Sequence, residues 1–136
     1  MNNPFEVVAW IHIENKRLLQ TKKINQAGFY MPGGKIERSE SAQDALIREI
    51  NEELSVNIIK DTIKRYGEFA AQAYLKPEGT KVKLTCFMAD FSGVIKPSSE
   101  IEAIEYFTSE EYFNLPEKVP AGYLIFSDLK EKGLII

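Results

Sequence analysis

The chain has 136 residues, 44% apolar and 27% charged, with 17 Lys and Arg against 20 Asp and Glu for a formal net charge of −3. That suits the core of one domain over residues 1–136, and it argues against bulk nucleic-acid binding, which needs a basic face. One cysteine, Cys86, and one histidine, His12, exclude a disulfide framework, a cysteine zinc site and a multi-histidine metal centre. No run approaches the roughly 20 apolar residues of a membrane span, and the Met-Asn-Asn-Pro-Phe-Glu start lacks the regions of a signal peptide. A cytoplasmic protein without a membrane partner is expected. If it is an enzyme, carboxylates and a hard metal are the chemistry open to it, unless His12 serves a nucleophile.

Phe5 to Ile13 is rich in β-branched and aromatic residues, and Arg17 to Lys22 follows the polar turn Glu14-Asn15-Lys16, which predicts a hairpin. Phe29-Tyr30-Met31 reads as a short strand stopped by the loop signal Pro32-Gly33-Gly34. Ser39 to Leu54 is the one long helical pattern. Lys64 to Leu75 and Lys81 to Phe91 read as strands of a second hairpin around residues 76–80, and Ile101 to Phe107 as a further strand. Ser109 to Phe113 and Gly122 to Glu131 read as closing helices. Strands that come partly as hairpins predict an α/β (α+β) fold with a mixed sheet. His12 alternates with apolar neighbours and is expected on the opposite strand face, without a metal role, and Cys86 as a small buried hydrophobe.

The long helix carries the chemistry. Ser41 is a suitable N-cap, and Asp44 three residues on suggests a capping box. At about 100° per residue, with Leu46 at zero, Ile50, Leu54 and Ile47 fall between about 40° and 100°, a stripe to bury. Glu53, Glu49 and Glu52 fall at about −20°, −60° and −120°, beside that stripe rather than opposite it. Like charges at i,i+3 and i,i+4 repel, and a divalent cation with oxygen ligands would relieve them. A solvated acidic face with Arg48 paired to Glu52 is the other reading of the same residues.

Ahead of the helix, Pro32-Gly33-Gly34 supplies backbone free of side chains. Gly34 is followed after five residues by Glu40 and after seven more by Arg48-Glu49-Ile50-Asn51-Glu52-Glu53-Leu54-Ser55-Val56. This resembles the Nudix box over Gly34 to Val56, with one departure, Ser55 in place of a helix-ending glycine. Ser there would cost about 1 kcal/mol in a left-handed conformation and touch no metal ligand.

The resemblance implies a Nudix-type αβα sandwich and metal-dependent hydrolysis of a phosphoanhydride in a nucleoside diphosphate linked to another moiety. It implies Mg²⁺ or Mn²⁺ as cofactor, with Glu49, Glu52, Glu53 and the Gly34 carbonyl as metal ligands. One of the glutamates, or a carboxylate outside the box, would activate water. Arg48, paired with Glu40, would hold the glutamates in place. Beyond the box, Glu100 and Glu102 are candidates for a further acid. Lys22, Lys23, Lys35 and Arg38 are candidates for phosphate-binding cations, and Phe29, Tyr30 and Tyr74 for base stacking, although packing accounts for these aromatics too.

Among substrates, Ala71 stands where ADP-ribose-type members carry a proline about fifteen residues past the box, and Tyr74 where dinucleoside polyphosphate hydrolases carry a tyrosine. A small MutT-like chain points first to nucleoside triphosphates, with dinucleoside polyphosphates, nucleotide sugars or a non-catalytic sensor as alternatives. The partner is then a small nucleotide, and a homodimer stays open.

Overall fold

The computed structural model describes residues 5–136. Its strands are β1 (Phe5–Trp10), β2 (Ile13–Glu14), β3 (Arg17–Lys23), β4 (Gly33–Lys35), β5 (Asn57–Ile58), β6 (Lys64–Gln72), β7 (Lys81–Met88), β8 (Phe91–Ser92) and β9 (Ile101–Phe107). The helices are α1 (Ala42–Leu54), α2 (Ser109–Phe113) and α3 (Pro120–Glu131). The main sheet runs β4-β1-β7-β6; β1 is parallel to β7 and antiparallel to β4, and β6 is antiparallel to β7. A second sheet, β2-β3-β9, is antiparallel, and β5 pairs with β8.

Two apolar layers sit on opposite faces of these strands, because side chains alternate with period two. Val8, Trp10, Leu19 and Phe87 meet Leu46, Ile50 and Leu54 of α1. Ala9, Ile11, Leu18 and Cys86 meet Tyr112 of α2 and Ile125, Phe126 and Leu129 of α3. The result is an αβα sandwich of mixed α+β class. Leu46, Ile50 and Leu54 are fully buried, each contributing about 1.5–3 kcal/mol, so the predicted stripe is what fastens α1 to the sheet. Cys86 is buried as expected. His12 lies on Trp10's side of the strand, stacked on its indole and bonded to Glu14 at 2.8 Å.

β6 stops at Gln72 rather than Leu75, and α3 starts at Pro120, which suits a first helical turn, rather than at Gly122. Four other boundaries differ from the sequence expectation, each for a physical reason. The first hairpin is only β2–β3. The chain leaves the main sheet at Ile11, whose N–H reaches Phe87 while the His12 carbonyl turns to Leu19, so β1 pairs with distant β7. Phe29-Tyr30-Met31 forms only a single bridge, Tyr30 with Thr21, and the strand forms instead over Gly33–Lys35. Glycine allows this: a Cβ on Gly33 would collide with the Val8 carbonyl oxygen, so only a bare backbone lies this close to β1. The long helix starts at Ala42 because Ser39 sits at φ 67° and Ser41 caps it, its Oγ accepting the Asp44 N–H. The Asp44 carboxylate meanwhile takes Lys60 at 3.1 Å. β7 ends at Met88, and Phe91 belongs to the separate β5–β8 pair, short strands that periodicity does not resolve. Ser55 takes the left-handed conformation, φ 64°, that the missing glycine would have taken.

Candidate active site

Glu49 and Glu53 are one helical turn apart on α1, beside the buried Leu46–Ile50–Leu54 stripe, and both turn onto β4. The Gly33 N–H donates to Glu53 Oε1 at 3.1 Å. A side chain on Gly34 would run into the Glu49 carboxylate. The two glycines therefore let two carboxylates lie directly on strand backbone, an approach no larger residue permits.

Glu53 is 6% exposed, and burial, reinforced by the charge of Glu49, pushes its carboxyl up to about 8 despite the Gly33 bond. Burial also raises Glu49, against the pull of Arg48. Desolvated, mutually repelling carboxylate oxygens are the donor set a hard divalent cation takes, and a bound cation would reverse both shifts. The residues present fit such a metal. Glu52 differs: its side chain is half exposed and 3.8 Å from Arg48, outside the lining of the cleft. Among the described residues no three acidic, histidine or cysteine side chains form a ready-made cluster.

Arg48 organises this end. Its Nε and Nη2 grip the two oxygens of Glu40 at 2.8 and 2.9 Å, Nη1 donates to Glu49 Oε1 at 2.8 Å, and Nη2 reaches the Lys35 carbonyl at 3.1 Å. Glu37 lies 3.4 Å from the same guanidinium. The bidentate grip holds the Glu40 carboxyl down to about 2. The i,i+4 pair with Glu52 is the loosest of Arg48's contacts, so the arginine ties α1 to the preceding loop rather than decorating a solvated face. Arg48→Ala is expected to lower kcat/KM by about 10- to 100-fold, the range for residues that orient ligands, with the fold retained because the apolar stripe is untouched. Rates with circular dichroism of the same variant check this; a normal rate contradicts the role.

Of these groups Glu49 and Glu53, with Gly33 and Gly34, line a cleft of about 630 Å³. Its floor is the α3-side face of the main sheet, Val7, Ala9, Val82 and Leu84, and its walls include Tyr30, Tyr74 and the start of α3. Tyr30 and Tyr74 lie 5.9 Å apart between ring centres, tilted by 50°. Tyr30 donates to Gln26 Oε1 at 2.9 Å and Tyr74 to Glu117 at 2.8 Å. Glu100 lines the cleft, 3.3 Å from Lys23, and Lys35 lies over the Phe5 ring at 4.5 Å. Lys22 does not join them. It points to the other side of β3 and pairs with Glu102, because neighbouring strand residues face opposite ways, and its neighbour Lys23 enters the cleft instead. Phe29 packs edge-on against Phe107 in the core, and Arg38 is absent from the lining. Phe5, Gln26, Gln72 and Lys76 line the cleft without any sequence signal that marks them; the turn at 76–80 was the nearest one.

An acidic helix laid on a glycine strand at the mouth of an apolar cleft describes a class of hydrolases that use a divalent metal. The comparisons agree. The model of the NUDIX domain family matches residues 4–129. The chain is 32% identical over 116 residues to the CTP pyrophosphohydrolase of Escherichia coli (strain K12), covering 82% of this chain and 81% of that protein. It is 27% identical over 124 residues to the uncharacterized Nudix hydrolase YvcI of Bacillus subtilis (strain 168), covering 88% and 75%. The crystal structure of the MutT protein from Methanosarcina mazei Go1 superposes with a TM-score of 0.76 at 18% identity, covering 98% of each chain. The chain belongs to the NUDIX domain family and is a Nudix hydrolase.

Proposed function

We propose that this chain, as a single domain, hydrolyses a phosphoanhydride of a nucleoside triphosphate with Mg²⁺ or Mn²⁺, releasing a nucleoside monophosphate and pyrophosphate. The observation that carries the reading is one cleft lined both by two desolvated carboxylates, Glu49 and Glu53, and by two tyrosine rings, Tyr30 and Tyr74. A polyphosphate needs the first and a nucleobase the second.

In this reading Glu49 and Glu53, with Glu52 beside them and the Gly34 carbonyl, hold the metal. When bound, the metal neutralises phosphate oxygens and lowers the pKa of its water. Arg48 and Glu40 fix the carboxylate geometry. One of the α1 glutamates, or Glu100 on the cleft wall, would accept the proton of the attacking water. Tyr30 or Tyr74 offers a ring face to the base, and the apolar floor keeps bulk water away from it. The similarity to a CTP pyrophosphohydrolase makes CTP the first substrate to try. A lone, buried cysteine suits the reducing cytoplasm.

The test is a product-resolved screen of nucleoside triphosphates, dinucleoside polyphosphates and nucleotide sugars with Mg²⁺. Monophosphate and pyrophosphate from a triphosphate support the reading. Preferred cleavage of nucleotide sugars, or tight nucleotide binding without any product, contradicts it.

A further inference from the structure

The last turn of α1 carries Glu52 and Glu53, and a helix end leaves carbonyls without a helical partner. Ser55, where the family pattern has glycine, still closes the Asn51 carbonyl with its own N–H. The next three carbonyls are taken by a segment far along the chain. Ser98 Oγ donates to the Glu52 carbonyl at 2.7 Å, the Ser98 N–H to Glu53 at 3.0 Å and the Lys96 N–H to Leu54 at 3.1 Å. The stretch between β8 and β9 is thus fastened to the backbone of the glutamates themselves, twice by one serine.

From that anchor the chain runs directly into the cleft. Ser99 holds φ 56°, in the left-handed region, and the Ile101 N–H closes the turn onto the Ser98 carbonyl at 3.1 Å. Glu100, inside this turn, lines the cleft, and its carbonyl accepts the Ile24 N–H at 2.9 Å just past the end of β3. The Glu100 side chain is 64% exposed, and its ion pair is with Lys23 at 3.3 Å. An ion pair this open holds little by itself, so the backbone anchor decides where the carboxylate stands. Burial, and then the charges of Glu49 and Glu100, raise the Glu53 carboxyl, which puts Glu100 within electrostatic reach of the helix glutamates.

We infer that Ser98 is a positioning residue of the site: by clamping the loop before β9 to the carbonyls of Glu52 and Glu53, it sets the distance from the glutamate helix to Glu100. The inference rests on the hydrolase reading above, in which Glu100 is one of the acids open to the attacking water. Ser98 is not itself among the residues that line the cleft, so its hydroxyl acts through Glu100.

The experiment sets Ser98→Ala against Ser41→Ala, which removes the hydroxyl that caps the other end of α1. Each loses one side-chain bond to the helix backbone, so their melting temperatures are expected to fall alike. In EDTA, amide hydrogen exchange at Ile24, whose N–H reports the place of Glu100, is expected to quicken about tenfold more in Ser98→Ala than in Ser41→Ala. With Mg²⁺ and the preferred substrate of the screen above, Ser98→Ala is expected to lower kcat about tenfold with KM nearly unchanged. That is below the roughly 100-fold that a misplacement of about 1 Å can cost. Ser98→Thr, which keeps the hydroxyl, is expected to restore kcat, and Ser41→Ala to keep it. In a Glu100→Gln background Ser98→Ala is expected to have no further effect, because both changes act on one carboxylate. Wild-type kcat in Ser98→Ala, equal Ile24 exchange or an equal loss of kcat in the two alanine variants, or additive losses in the double variant each overturn the clamp. If no nucleotide is turned over while Ile24 exchange still depends on Ser98 and not on Ser41, the hydrolase reading fails and the clamp stands. Turnover that is insensitive to Ser98 means the reverse.

Discussion

Excess EDTA is expected to abolish turnover, and added Mg²⁺ to restore it in full. The chain has one histidine, stacked on Trp10 and bonded to Glu14, and it is not among the residues that line the cleft. Its single cysteine is buried in the core, with a thiol that burial raises to about 12. Neither residue can serve as an activated nucleophile at the cleft. The acidic residues Glu49 and Glu53 repel one another, and the cations near them, Arg48 and Lys23, cannot activate a water molecule. A metal held by these carboxylates would supply the activation of water, so its removal is expected to stop the reaction. The check is steady-state product release across a Mg²⁺ titration after chelation. Substantial residual turnover in EDTA sinks the metal-dependent mechanism.

With Glu53 in the proposed role of metal ligand, Glu53→Gln is expected to lower kcat/KM by a factor on the order of 10² or more, because losing a directly bonded ligand exceeds the 10- to 100-fold typical of groups behind it. The same variant should be more stable than wild type in EDTA at neutral pH. The carboxyl of Glu53 stands at about 8 in the folded protein against an ordinary 4.5. Between those values the unfolded chain has released a proton that the folded chain keeps, so rising pH favours unfolding, by up to about 1.4 kcal/mol per unit from this group. Its stabilising contribution is complete below pH 4.5 and is lost as pH rises towards 8. Glu49, also shifted upward, adds in the same direction.

The melting temperature of metal-free wild type should therefore fall between pH 5.5 and 8. That of Glu53→Gln should be flatter, and Mg²⁺ should raise only the wild type appreciably. Asp44→Asn, on the outer side of α1 and paired with Lys60, should leave activity near normal. Parallel melting profiles for wild type and Glu53→Gln would show that this carboxyl is not the buried acid of the site.

The acidic arc of α1 was legible because helical periodicity is rigid. Once Leu46, Ile50 and Leu54 define the buried side, Glu53 must lie at its edge and Glu52 outside it, as the exposures show. The resemblance to the Nudix box over Gly34 to Val56 implied the Arg48–Glu40 pairing, which the structure forms at 2.8 Å. Tertiary pairing was not legible. Nothing in Phe5 to Trp10 says whether its neighbour is β3 or β7, because strand propensity fixes conformation and not partner. Nor could residue type alone separate Lys22 from Lys23. A one-residue shift on a strand moves a side chain to the other face, and the bulge between these two residues adds to the ambiguity. Phe5 and Lys76, far apart in the chain, meet only because β1 and the β6–β7 turn share one edge of the cleft.

The parallel pairing of Phe5 with Val82 through Trp10 with Phe87 bears on when the protein becomes competent during its own synthesis. β1 gives Val7 and Ala9 to the cleft floor and backs the glycine strand under the glutamates, yet its principal neighbour emerges from the ribosome dozens of residues later. Until β7 is available, β1 has only the three-residue β4 to pair with, too little to hold a strand in place against chain entropy. The carboxylate helix can be made early, but the surface it must dock on is completed late, so the nascent chain carries its acidic residues unassembled for most of translation. A fragment that stops before Lys81 should therefore contain the whole glutamate motif without the strand that completes the cleft floor.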